Sequence, residues 1–151
     1  FRRIIKRKLI ISKNYPTING EDSIICHKLN SKKALIVNSQ DGLDEISPYA
    51  NTDVVKLSDG KIKEFALNPK DLNIKASGFE NIVGKDPEYN AEKMKEIFQG
   101  KDNDFSIAVC LNAAAGLLVA EKSNSFKEGY EELRKHILSG KVINHISKLV
   151  K

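Results

Sequence analysis

The sequence predicts an α/β fold with a partial parallel sheet, a β-hairpin and a set of C-terminal helices. Three observations carry this expectation. The run "KKALIVN", Lys32 to Asn38, has few polar breaks, the pattern of a strand buried on both faces, as in a parallel sheet. In "NTDVVKLSDGKIKEFALNP" two β-rich runs meet at an Asp-Gly step, a strong short-range hairpin signal. From Glu88 onward, apolar residues return at helical spacing.

In chain order, Phe1 to Gly20 show no clear period and end in the loop-like "NYPTING". Glu21 to Asn30 reads as a short helix with Ile24, Ile25 and Leu29 inward, and a helix feeding a buried strand is half of a βαβ unit. The strand Lys32 to Asn38 follows, then an acidic loop, then the hairpin turning at Ser58-Asp59-Gly60-Lys61 and ending at Pro69. Lys70 to Pro87 is irregular, broken by Gly78 and Gly84. Glu88 to Gln99 is a helix with Met94, Ile97 and Phe98 on one face, closed by Gly100 as a C-cap. Phe105 to Glu121 is apolar nearly all round and is expected to be buried. Its small residues, in "LNAAAGLLVAEK", permit close helix packing. Ser125 and Glu128 match a capping box for a helix carrying Phe126, Tyr130, Leu133 and Ile137, stopped by Ser139-Gly140. A last helix, Val142 to Val150, is expected to bury Val142, Ile146 and Leu149.

The formal net charge of +5 is unevenly placed. Five of the 25 basic side chains lie within the first eight residues, and the remaining 20 match the 20 acids. The basic character therefore belongs to an N-terminal segment, read as residues 1–20. That segment is either a patch for nucleic acid or membrane surface, or a terminal segment with no such partner. Residues 21–151 read as one α/β unit. The longest apolar stretch, Ile107 to Ala120, is broken by Asn112 and is shorter than the roughly 20 residues a membrane-spanning helix needs. The basic start is followed by no long apolar region or small-residue cleavage site of a secretory leader. Cys26 and Cys110 are far apart in apolar runs, which points to reduced core residues and a cytoplasmic protein. His27, His136 and His145 form no zinc-binding pattern, and neither a nucleophile motif nor a glycine-rich phosphate cradle occurs.

The acidic loop, "SQDGLDEIS", places Asp41, Asp44 and Glu45 around Gly42 at the carboxyl end of the apolar strand. Like charges this close repel, and a simple turn needs only one acid and the glycine. Successive side chains of a strand face opposite ways, but in a loop released by Gly42 Asp44 and Glu45 could face one ligand. Carboxylates suit a hard cation such as Mg²⁺, and ligands of open α/β sheets sit beyond the carboxyl ends of strands. The other reading is a solvated acidic turn.

Taken as an ordered set, "KKALIVNSQDGLDEIS", the hairpin, "GKDPEYNA" and "LNAAAGLLVAEKSNSFKEGYEELRKHILSGK" resemble the C-terminal part of the anthranilate phosphoribosyltransferase family, over roughly residues 21–151. The resemblance implies the C-terminal part of a catalytic domain of the nucleoside phosphorylase/phosphoribosyltransferase class. It implies transfer of phosphoribose from phosphoribosyl pyrophosphate to the amine of anthranilate, in tryptophan biosynthesis, by an enzyme that is usually a homodimer. In that family the Asp-Glu pair of this motif binds Mg²⁺ accompanying the pyrophosphate, which carries over to Asp44 and Glu45. No catalytic residue is assigned.

Departures from the family accompany the likeness. Its glycine-rich phosphoribosyl-pyrophosphate loop and its Lys-His-Gly-Asn stretch have no counterpart in these residues. The "VVHG" of the family is replaced at Val37-Asn38-Ser39, its "GG" becomes Gly84-Lys85, and Tyr89 stands where a Glu is usual. The expectation is a C-terminal part, inactive alone, that works with a complementary chain or as a homo-oligomer. Two other readings are a pyrimidine nucleoside phosphorylase-like enzyme, and a non-catalytic interaction module using the basic arm. Neither a membrane nor nucleic acid is the expected partner.

Overall fold

The computed structural model describes residues 8–12 and 31–149. Four strands form one mixed sheet in the order β1-β2-β3-β4: β1 (Lys8–Ser12), β2 (Lys33–Ser39), β3 (Thr52–Ser58) and β4 (Lys61–Leu67). β1 runs parallel to β2, with Ile10 opposite Leu35, while β2–β3 and β3–β4 are antiparallel. The strand predicted from "KKALIVN" therefore has its parallel partner, but that partner lies in the stretch where the sequence showed no period. β1 is only five residues long, and its pairing is a long-range contact that local pattern does not report. The helix expected at Glu21 to Asn30, with Cys26 and His27, lies outside the described residues.

β2 is buried along both faces, as its apolar run requires. Leu35 and Val37 point into the main core with Val54, and Ala34 and Ile36 join Val55 and Leu57 on the opposite side. The hairpin between β3 and β4 turns at Asp59 and Gly60, both with positive φ (48° and 81°). That is the backbone of a type I′ turn, whose twist matches the flanking strands. Its edge strand β4 exposes Lys61, Lys63 and Glu64, charges that discourage pairing with another chain. Two 3₁₀ turns, Pro69–Leu72 and Phe79–Ile82, punctuate the irregular segment that follows.

Four helices complete the fold: α1 (Pro87–Phe98), α2 (Asp104–Val119), α3 (Phe126–Leu138) and α4 (Val142–Leu149). α2 is the central one, burying Ile107, Cys110, Leu111, Ala114, Ala115 and Val119. It is not buried all round: Val109 is 43% exposed. Its small residues admit α3 closely, because a methyl group on Gly129 would already stand 3.7 Å from the Ala114 Cα. The two C-cap glycines predicted from sequence sit back to back. Gly100 (φ +97°) ends α1 and Gly140 (φ +66°) ends α3, and a methyl group on Gly140 would meet the Gln99 carbonyl oxygen at 2.8 Å.

Three side-chain expectations are corrected. Met94 is 54% exposed, because α1 turns only Ile97, with Phe98 beside it, into the core. Leu149 is 67% exposed, and α4 buries no residue. Ser125 caps α3 by accepting from the Glu128 N–H at 3.1 Å, but the Glu128 carboxylate reaches the N–H of Asn124 rather than that of Ser125.

Candidate functional site

The site grows from the end of β2. Beyond Ser39 the chain folds back at once: the Gly42 N–H donates to the Ser39 carbonyl, and the Ser39 N–H donates to the Leu43 carbonyl, both at 3.1 Å. Gly42 has φ +91°, a conformation for which glycine is suited, with open space around its Cα. The Gln40 N–H donates to the Asn51 carbonyl at 2.9 Å and closes the loop at its base.

The three acids of the loop do different work. Asp41 is structural. Its Oδ2 accepts from the Ser47 hydroxyl at 2.6 Å and its Oδ1 from the Leu43 N–H at 3.2 Å. Burial pushes its carboxyl upward, but the hydrogen bonds from Ser47, Ser39 and Leu43 outweigh this and hold it below the ordinary carboxylate range. Ser47 is fully buried, and its oxygen also accepts from the N–H groups of Tyr49 (3.0 Å) and Ala50 (3.3 Å). Asp44 and Glu45 are exposed, lie in bends rather than in a strand, and make no hydrogen bond or ion pair to any described residue. Among the described residues no group of three or more His, Cys, Asp and Glu side chains is placed to hold a metal. The loop thus offers two free carboxylates and no closed cage.

Behind the loop stand two polar anchors, Asn112, partly buried, and Asp104, buried. The Ile46 N–H donates to the Asn112 Oδ1 at 3.0 Å, and the Asn112 Nδ2 donates back to the Ile46 carbonyl at 3.3 Å. Farther along, Tyr49 donates its hydroxyl to the Asp104 Oδ2 at 3.0 Å. That oxygen also accepts from the N–H groups of Ser77 (2.8 Å) and Gly78 (3.2 Å) and from the Asn81 Nδ2 (3.2 Å). Asp104 is 6% exposed at the start of α2, where an acid also suits the helix dipole. Burial raises its carboxyl pKa, and these four donors more than reverse that, leaving it below the usual range. Tyr49 moves the other way, its phenol pushed upward first by burial and then by the bond to Asp104.

The start of α2 is itself well closed. Asn103 and Ser106 form a reciprocal capping box, the Asn103 Oδ1 accepting from the Ser106 N–H at 2.9 Å and the Ser106 Oγ from the Asn103 N–H at 3.1 Å. Arg134 of α3 donates to the Ser106 Oγ at 2.7 Å and pairs with Asp102, tying α3 to this corner. A cavity of about 450 Å³ opens beside it, lined by Asn81, Tyr89, Lys93, Lys101 and Asp104 among others.

Sequence reasoning singled out Asp44 and Glu45 as candidate ligands, and the structure leaves them exposed; it did not anticipate Asp41's structural role or the parts played by Asp104 and Asn112. A signal existed for the last, since a polar side chain interrupting an apolar helix needs a hydrogen-bond partner.

A family model described as "Glycosyl transferase family, a/b domain" matches residues 9–143. The chain belongs to this family. This glycosyl transferase α/β domain is 58% identical over 123 residues to the anthranilate phosphoribosyltransferase of Pelagibacter ubique (strain HTCC1062), covering 82% of this chain and 37% of that protein. It thus spans little more than a third of the length of the curated relatives it matches. The crystal structure of anthranilate phosphoribosyltransferase from Thermus thermophilus superposes with a TM-score of 0.79 at 26% identity, over 91% of this chain and 40% of that one. The Saccharomyces cerevisiae enzyme, solved in complex with phosphoribosyl pyrophosphate and Mg, superposes at 0.77 with 22% identity, over 89% of this chain and 39% of that one. The family resemblance and the fold class expected from the sequence are both borne out.

Proposed function

We propose that this glycosyl transferase domain supplies the metal-binding acidic loop of an anthranilate phosphoribosyltransferase, with Asp44 and Glu45 as the Mg²⁺ ligands. One observation carries the reading: of the three acids at the carboxyl end of β2, the fold ties down Asp41 and leaves Asp44 and Glu45 exposed and unpartnered among the described residues. Two adjacent carboxylates fit a cation that keeps most of its waters and is shared with substrate phosphates, rather than one held in a protein cage. The name carried by the 58% identical relative, and the phosphoribosyl pyrophosphate and Mg named for the yeast enzyme of the same fold, support the same assignment.

The reaction of the whole protein is then transfer of phosphoribose from phosphoribosyl pyrophosphate to the amine of anthranilate. Mg²⁺ bound there supplies positive charge beside the pyrophosphate as its bond to the ribose anomeric carbon breaks. The contribution of this chain is to fix the loop. Asp41 and Ser47 hold its turn, Asn112 holds its far end, and Asp44 and Glu45 present their carboxylates at the end of a buried, rigid strand. Segments outside this chain supply the remainder of the substrate site. The enzyme acts in the cytoplasm, as a homo-oligomer or with a complementary chain.

The test is a chimera in which this chain replaces the matching 123 residues of the Pelagibacter relative. It should transfer phosphoribose to anthranilate, and Asp44→Asn with Glu45→Gln should remove most of kcat while circular dichroism stays unchanged. Full activity after both changes sinks the assignment.

A further inference from the structure

Asn112 has no partner of its own kind in the apolar middle of α2, and all of its polar capacity that the structure uses is directed at backbone. Its Oδ1 accepts from the Ile46 N–H at 3.0 Å. Its Nδ2 donates to the Ile46 carbonyl at 3.3 Å and to the Ala108 carbonyl, one turn back, at 3.0 Å. An N–H needs an acceptor and two carbonyls need donors, so this network admits one orientation of the amide. Ile46 meanwhile buries its side chain to 2% exposure in the main core. Its backbone is therefore held by Asn112 and its side chain by packing. At the other end of the loop, Leu43 is held by Ser39 and Asp41. Between Leu43 and Ile46 lie just two residues, Asp44 and Glu45.

We propose that Asn112 is the positioning residue of the metal-binding pair: by clamping both polar groups of the Ile46 backbone, it sets where Asp44 and Glu45 present their carboxylates. The inference rests on the function proposed above. Asn112 touches neither metal nor substrate and acts through the main chain, as residues outside a metal's own ligands commonly do. A residue of similar size without the amide would leave the Ile46 N–H and C=O unpaired beneath the loop, which the loop can relieve only by moving toward water.

Two measurements test this in the chain as it stands. One is hydrogen exchange of the Ile46 amide, followed by NMR without any ligand. The other is the calorimetric affinity for Mg²⁺ with inorganic pyrophosphate, well below the melting temperature. Asn112→Ala should lose Ile46 protection while amides of α3 keep theirs, and should weaken Mg²⁺-pyrophosphate binding about tenfold or more. Asn112→Gln, which carries the same amide one methylene farther out, should also lose affinity, and it carries the test if the alanine variant does not fold. An Ile46 amide that stays protected in the folded variant, or undiminished affinity, overturns the proposal. Binding that survives Asp44→Asn with Glu45→Gln overturns the metal assignment instead. The two failures are separable because the exchange measurement involves no ligand.

Discussion

Asp104→Asn isolates the effect of one buried charge. The Asp104 Oδ2 accepts from four donors, Tyr49, Ser77, Gly78 and Asn81, which come from two separate stretches of chain, the loop after β2 and the irregular segment after β4. Hydrogen bonds to a charged acceptor contribute roughly 1.5–3 kcal/mol each, but four sharing one oxygen are not additive. Asparagine keeps the shape and one acceptor oxygen while removing the charge, so the expected loss is about 2 kcal/mol at neutral pH. That is a substantial part of the roughly 5–15 kcal/mol of a typical domain. The pH dependence identifies the cause. A carboxyl held below its unfolded value stabilises the native state above that value, and the contribution is lost as pH falls through the lower, folded one. Asp104 is lowered from 3.8, so the difference between wild type and Asp104→Asn should be constant near neutrality and narrow as pH falls below that value. Urea unfolding followed by circular dichroism, from about pH 7 to about pH 3, measures it. A gap below about 0.5 kcal/mol at neutral pH, or one that widens on acidification, would refute the reasoning.

The double change Asp44→Asn with Glu45→Gln should leave the urea midpoint unchanged or slightly raised, since both acids are exposed and unpartnered among the described residues and lie next to each other. Gly140→Ala should cost about 1 kcal/mol or more, combining φ +66° with a methyl group 2.8 Å from the Gln99 carbonyl oxygen, whereas Gly84→Ala, outside the left-handed region and with its nearest contact the Asn90 side chain at 3.2 Å, should cost less; thermal melts compare them. In alkali, Tyr49 and Tyr130 are both raised by burial, so the unfolded chain ionises first; stability should fall as pH rises beyond about 10, and less steeply in Tyr49→Phe. The Cys110 thiol, buried and pushed upward chiefly by burial, should react with a disulfide reagent only at the rate of unfolding.

The features legible in the sequence were those whose cause is local. An unbroken apolar run can be stable only as a strand covered on both faces, and β2 is buried on both. Asp-Gly between two β-rich runs demands positive φ at both positions, and Asp59 and Gly60 have it. Glycines after apolar periodic segments end helices because they alone enter the left-handed region without strain, and Gly100 and Gly140 do so. The acidic loop was conspicuous because three acids exceed what a turn needs. Tertiary structure decided which acids were free. Asp41, Asp44 and Glu45 are all free acids by composition, and the Ser47 hydroxyl and the Leu43 N–H, brought to the first by the folded loop, separate it from the other two. β1 was missed for the same reason, since its partner lies 25 residues away in register. Asp104 and Asn112 bind backbone from segments 26–66 residues distant, and a hydrogen bond to main chain leaves no trace in the identity of the residue that receives it.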